Sequence, residues 1–168
     1  MKIEINEDSI NSILEQLAPD LMQKNLRLAS AESCSGGWLA KAITDLGGSS
    51  QWFECSIVSY SNQSKQDFLG VNSQTLEQHG AVSQPVVKEM VLGLLNRCQA
   101  DLGVSISGIA GPGGGTKDKP VGTVWMAWAK QGQFIESIRF KFNGDRKEVR
   151  LQAVYEALKG VQRILDEH

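Results

Sequence analysis

The stretch Leu26–Leu46, LRLASAESCSGGWLAKAITDL, sets the frame for the chain. Leu26 to Ala31 reads as a short strand. Glu32-Ser33-Cys34-Ser35-Gly36-Gly37 follows as a turn of mostly small residues, and Trp38, Leu39, Ala42, Ile43 and Leu46 then recur at helical spacing. Gly47 and Gly48 close that helix, because glycine adopts a left-handed C-terminal turn at little steric cost. A strand that empties through such a turn into an amphipathic helix is a building unit of α/β folds.

Upstream, Ile10, Ile13, Leu14 and Leu17 give an opening helix with one buried stripe, and Pro19 predicts a kink or a restart before Leu21 and Met22. Downstream, a second strand is expected over Cys55 to Tyr60, with short helical pieces at Asp67 to Gly70 and Ser73 to Gln78. Ser83 is a good N-cap for a helix whose face carries Val87, Met90, Val91, Leu94, Leu95 and Cys98. Leu102, Val104 and Ile106 then alternate with Gly103, Ser105 and Ser107, a strand with one small-residue face, before a glycine-rich loop from Gly108 to Thr116. Val124, Met126 and Trp128, then Ile138, Phe140 and Phe142, flank Gly132 as an antiparallel hairpin. Leu151, Val154, Leu158, Val161 and Leu165 mark a long closing helix. The pattern predicts an α/β fold: a three-layer α/β/α sandwich with a mixed sheet and a late antiparallel hairpin, one domain over residues 1–168.

Composition narrows the function classes. A formal net charge of −2 without a dense Lys/Arg run argues against nucleic-acid binding, whose affinity rests on phosphate contacts. Met1 to Asp8 lacks a signal-peptide core, and no apolar run approaches the ~20 residues needed to span a bilayer, so a cytoplasmic chain without membrane partners is expected. Cys34, Cys55 and Cys98 are odd in number and far apart, which fits reduced thiols. No cluster of ligating residues has metal spacing, so neither a metal nor another cofactor is expected.

Four segments carry candidate chemistry. At Glu32 to Gly37 a helix start offers amides and a positive dipole end, the parts of an oxyanion hole, beside a hydroxyl that can attack a carbonyl. A plain capping role for Ser33 or Ser35 competes with this reading, and Cys34 competes as nucleophile because a thiol is intrinsically stronger. Of the two histidines, His168 is terminal, leaving His79 as the usable imidazole. Tyr60 and Lys65 form the second segment; a lysine of depressed pKa serves a serine as base in Ser-Lys hydrolases. Third is the loop Gly108 to Thr116, preceded by Ser105 and Ser107, which matches neither dinucleotide nor P-loop patterns but lets backbone amides approach an anion. Fourth, Asn143-Gly144-Asp145-Arg146 places Asp145 as a cap and Arg146 against the helix dipole, where it is suited to grip a phosphate or carboxylate.

Together Ala31–Gly37, Val58–Asn62, His79–Ser83, Ser105–Gly114 and Gly144–Arg146 resemble the nicotinamide-nucleotide amidohydrolases, a family that also forms the C-terminal domain of competence-damage-inducible CinA proteins. The resemblance runs in the same order from about Ala29 to Leu165. It implies the α/β/α sandwich and hydrolysis of nicotinamide mononucleotide (NMN) to nicotinate mononucleotide and ammonia in pyridine nucleotide salvage. It implies Ser33 as nucleophile, with Tyr60, Lys65 and His79 around it; the family usually has Thr where Ser35 stands. Joining both readings, Cys34, Ser35 and Gly36 would hold the oxyanion, while Ser105, Ser107, Gly108, Gly111, Gly113 and Arg146 would bind the rest of NMN. A homodimer is expected from the family and from the several tryptophans. A non-catalytic pyridine-nucleotide-binding module is the alternative.

Overall fold

The computed structural model describes residues 4–167. His168, and Met1 to Ile3 of the expected leaderless start, therefore lie outside the described residues. Six α-helices and five strands follow in the order α1 (Glu7–Gln23), β1 (Leu28–Glu32), α2 (Trp38–Asp45), β2 (Phe53–Val58), α3 (Asn62–Leu69), α4 (Ser73–His79), α5 (Gln84–Leu95), β3 (Leu102–Gly108), β4 (Thr123–Lys130), β5 (Gln133–Lys141) and α6 (Arg146–Glu167). The sheet order is β2-β1-β3-β4-β5. β1 pairs in parallel with β2 and β3, while β3, β4 and β5 pair antiparallel, so the sheet is mixed and ends in the expected hairpin.

The two sheet faces are built from different sizes of side chain. On one face, rows that cross the strands read Ala29–Gly103–Ala129 and Ala31–Ser105–Ala127. This nearly flat floor lets α5 lie close: a Cβ on Gly103 would already sit 3.0 Å from Val91 and 3.1 Å from Leu95. The other face carries Leu28, Val104, Ile106, Met126 and Trp128, which pack under α1, α2 and α6. There α6 touches the sheet through its backbone, with Trp128 Nε1 donating to Ala157 O at 3.0 Å. Alternation in β3 thus sorts large residues to one helical layer and small ones to the other.

Several elements differ from expectation. α1 runs through Pro19 without a restart, and Ala18 and Leu21 join Leu14 and Leu17 on its buried stripe. Burial of Leu21, worth roughly 1.5–3 kcal/mol, offsets the helix bond that proline removes. β2 begins and ends two residues before the expected strand, and α3 is a full helix from Asn62 rather than a short piece at Asp67. Ser83 is the N-cap of α5 but makes no capping bond; its hydroxyl donates to Gly80 O at 2.8 Å. Trp52 and Trp128 are core residues, so the tryptophans do not collectively mark an interface.

Gly93 on α5 shows how tightly α3 is seated. A Cβ there would lie 1.7 Å from Leu69 O at the end of α3. Alanine gains about 1 kcal/mol of helix propensity, but a backbone carbonyl must move to admit it. Gly93→Ala is expected to lose about 2 kcal/mol net, a fall in Tm of roughly 4–8 °C by calorimetry. A variant as stable as wild type would show that α3 yields freely.

Candidate active site

The parallel strands β1, β2 and β3 end side by side, so the segments after Glu32, Val58 and Gly108 meet at one rim of the sheet. The chain leaves β1 toward one face through α2 and enters β3 from the other face through α5. Where connections diverge in this way, an open α/β sheet leaves a crevice at the carboxyl ends of its strands. The crevice here has a volume of about 310 Å³. Of the residues singled out from sequence, Ser33, Cys34, Tyr60, Lys65, Ser107, Gly108, Gly111, Gly113 and Arg146 line it.

Ser33 stands one residue past β1, mostly buried. A capping box between Ser61 and Ser64 starts α3. Lys65 follows on its first turn, 1% exposed, and its Nζ lies 2.9 Å from Ser33 Oγ and donates to Ser59 O at 2.7 Å. Ser59 N donates to Glu32 O at 2.8 Å, so the ends of β1 and β2 are tied together beneath the pair. Both partners of Lys65 are neutral groups. Burial pulls its pKa down from 10.5 to about 8, opposed by the neighbouring Cys34. Such an amine gives up its proton far more readily than a solvated lysine does. Cys34 is the weaker candidate nucleophile, because burial pushes its thiol up to about 11 and keeps it protonated.

The turn that follows β1 is held differently from expectation. Glu32, fully buried, turns its carboxylate onto the start of α2, accepting from Gly37 N at 3.2 Å, Leu39 N at 3.0 Å and Ala40 N at 3.1 Å. Ser56 Oγ adds a fourth bond at 3.0 Å and itself accepts from Ser30 Oγ at 2.7 Å. A buried carboxylate needs donors, and these helix amides supply them. The amides at the helix start are thus engaged by Glu32, and Gly36 N closes the turn onto Ser33 O at 3.0 Å. Behind the turn, Arg150 Nε donates to Cys34 O and its Nη2 to Ser35 O, both at 3.0 Å.

Arg146 joins the glycine loop to Tyr60, donating to Gly111 O at 2.7 Å and to the Tyr60 hydroxyl at 3.2 Å. Asp145 caps α6 as expected, its Oδ1 accepting from Glu148 N at 2.9 Å. The Tyr60 hydroxyl is therefore at Arg146, and Lys65 is the base candidate placed at Ser33. Ser107 donates to Ala81 O at 2.8 Å on the crevice wall, whereas Ser105 donates to Val87 O beneath α5, outside the crevice. Ser35 and Gly36 also lie outside the lining. His79 is exposed at the end of α4, away from the lining, and its carbonyl accepts from Lys119. Asn62 lines the crevice without having been singled out as a site residue. Glu32 and Arg150 were missed too; Arg150 is four residues beyond Arg146, on the same helix face, which was the available signal.

The chain matches the family model described as the CinA C-terminal domain over residues 10–165. It is 50% identical over 156 residues to the nicotinamide-nucleotide amidohydrolase PncC of Escherichia coli (strain K12), covering 92% of this chain and 94% of the relative. The Pseudomonas putida protein of the same name is 47% identical, covering 92% of this chain and 96% of its own length. Among solved structures, the CinA superfamily protein from Klebsiella pneumoniae 700603 superposes with a TM-score of 0.91 at 37% identity, covering 95% of this chain and 99% of that one.

The Glu32 network sets a stability test. Glu32→Gln keeps the shape but replaces one accepting oxygen by a donor and removes the charge. It is expected to cost about 2 kcal/mol in urea unfolding. A loss below roughly 0.5 kcal/mol, the range of ordinary surface changes, would mean that the carboxylate does not hold α2 in place.

Proposed function

The chain belongs to the CinA C-terminal domain family, and from that premise we propose how it works: it is a nicotinamide-nucleotide amidohydrolase that converts NMN and water to nicotinate mononucleotide and ammonia, with Ser33 as nucleophile and Lys65 as base. It serves pyridine nucleotide salvage. The observation that carries the mechanism is the buried Lys65 Nζ, 2.9 Å from Ser33 Oγ, with a pKa of about 8.

Neutral Lys65 takes the Ser33 proton as Oγ attacks the carboxamide carbon, and the tetrahedral oxyanion is held by the amide of Cys34, which lines the crevice. The Lys65 ammonium, steadied by Ser59 O, returns that proton to the nitrogen as the C–N bond breaks and ammonia leaves. Water, deprotonated by Lys65, then attacks the ester carbon. Oγ departs with the proton from Lys65, freeing nicotinate mononucleotide. Arg146, fixed between Gly111 O and Tyr60, and the loop with Gly108, Gly111 and Gly113 hold the ribose phosphate, with Ser107 on the wall. His79 takes no step in this mechanism.

The pH dependence follows from Lys65. Below about pH 8 it is an ammonium and cannot accept the serine proton. Activity should therefore rise about tenfold per pH unit toward 8 and then level, as the neutral form fills. Ammonia release from NMN, with the product identified by mass, is expected from wild type. Ser33→Ala and Lys65→Met should each lose roughly a thousandfold or more in kcat. NMN binding by wild type without ammonia release would replace this reading with the binding-module one. A Ser33→Ala variant with near-normal turnover would remove the serine mechanism alone.

The protein acts in the cytoplasm as a homodimer. Among the described residues no helix is long and apolar enough to cross a membrane. Val58 at the end of edge strand β2, Tyr60 just after it and Phe68 on α3 are large, exposed apolar or aromatic side chains, suited to contact with a second copy. Sedimentation at twice the 18.3 kDa chain mass is expected; a single-chain mass at assay concentrations would exclude the dimer.

A further inference from the structure

We infer that Arg150 is a positioning residue for hydrolysis: it grips the carbonyls behind the nucleophile turn and so fixes the Ser33–Cys34 peptide, whose amide receives the oxyanion. The inference rests on the reading of Ser33 as nucleophile.

Arg150 lies on the second turn of α6, and its guanidinium forks across two consecutive peptides. Nε reaches Cys34 O and Nη2 reaches Ser35 O, each at 3.0 Å. The guanidinium stacks 5.3 Å from the Trp38 ring centroid, which fixes its plane. Gly36 leaves it room, since a Cβ there would meet Nη2 at 3.3 Å at a φ of +60° that disfavours side chains. Both hydrogen-bond partners are carbonyls, so a full positive charge is directed at the backbone of the nucleophile turn. Arg150 does not line the crevice itself.

A trans peptide is planar, so Cys34 C=O and Ser35 N–H belong to one rigid unit and point in opposite directions. Holding Cys34 O toward α6 fixes that unit from behind. A cation on the carbonyl also strengthens the N–H of the same peptide as a donor. The second prong holds Ser35 O, which also accepts from Trp38 N at 3.0 Å. Gly36 N, in the same peptide as Ser35 O, is left to close onto Ser33 O. Ser33 O shares its peptide with Cys34 N–H, so the amide of the crevice-lining Cys34 is set from behind.

The need for such help follows from Glu32. Its carboxylate takes amides at the start of α2 and neutralises that dipole end, so the helix is a poor source of positive potential for the reaction. Arg150 restores it through the peptide without touching substrate. Lysine cannot replace it, because a point charge does not bridge two carbonyls in a fixed fork.

The test compares Arg150→Ala, Arg150→Lys and Ser33→Ala with wild type, each checked for folding by circular dichroism. In Arg150→Ala, kcat for ammonia release from NMN should fall about a hundredfold with KM changed less than about threefold, the loss typical of a missing oxyanion donor. Guanidinium chloride at tens of millimolar should recover part of that rate in Arg150→Ala and none in Ser33→Ala. Arg150→Lys should stay at least about tenfold down. The rise toward pH 8 should keep its position in both Arg150 variants, because the base is untouched. Should Arg150→Ala not fold, Arg150→Lys carries the same kcat criterion. A folded variant with kcat near wild type, a loss confined to KM, or no response to guanidinium overturns the inference. Normal turnover by Ser33→Ala would overturn the nucleophile reading and this inference with it. An inactive Ser33→Ala beside an active Arg150→Ala removes only the Arg150 role.

Discussion

A carboxylate without water holds the working edge of this protein together. Glu32 ends β1 fully buried and must find donors inside the fold, and it finds three amides of the α2 start and the Ser56 hydroxyl on β2. Those bonds join a strand, the helix that follows it and the neighbouring strand at one point. The next residue is Ser33, whose place in space is thus inherited from a buried acid outside the crevice lining. Its backbone contributes as well, since Glu32 O accepts from Ser59 N and Ser59 O in turn receives Lys65 Nζ.

Charge is distributed unevenly around this edge. Lys65 is buried against neutral partners and so tends to give up its proton, which suits a base. Arg146 and Arg150 of α6 are fixed by carbonyls: Arg146 by Gly111 on the crevice side, Arg150 by Cys34 and Ser35 behind it. A single helix face therefore supports both the mouth of the crevice and the back of the turn. Packing keeps that helix in register, because the Trp128 indole bonds to Ala157 O and leaves no space for a side chain on Gly160.

What could be read from sequence was whatever periodicity or local turn chemistry controls. The alternation in Leu102 to Ser107 announced both a strand and its unlike faces, and Gly132 announced the hairpin, whose turn it makes at a φ of +75°. Pro19 misled because a local rule competes with burial of Leu21, which only the packed α1 reveals. Ser33 and Lys65 were both named, but their meeting depends on two strands lying in parallel, and spacing does not encode that. Glu32 stood within the quoted motif and was passed over because its role lies in the amides it collects. Arg150 bonds residues 115 and 116 positions away, and only the choice of Arg146 pointed to its helix face.

The origins of the crevice walls have an evolutionary consequence. The Ser33–Lys65 pair hangs from β1 and from the helix after β2, so its spacing is tied to the separation of hydrogen-bonded neighbours, which no sheet can vary. The opposite wall belongs to the segment between β3 and β4, which crosses mostly exposed positions from Pro112 to Lys119 before Gly122 returns it to the sheet. Such a division separates inheritance of chemistry from inheritance of taste. A change in the loop, by substitution or by length, can alter what the crevice accepts and leave the strand ends where they are.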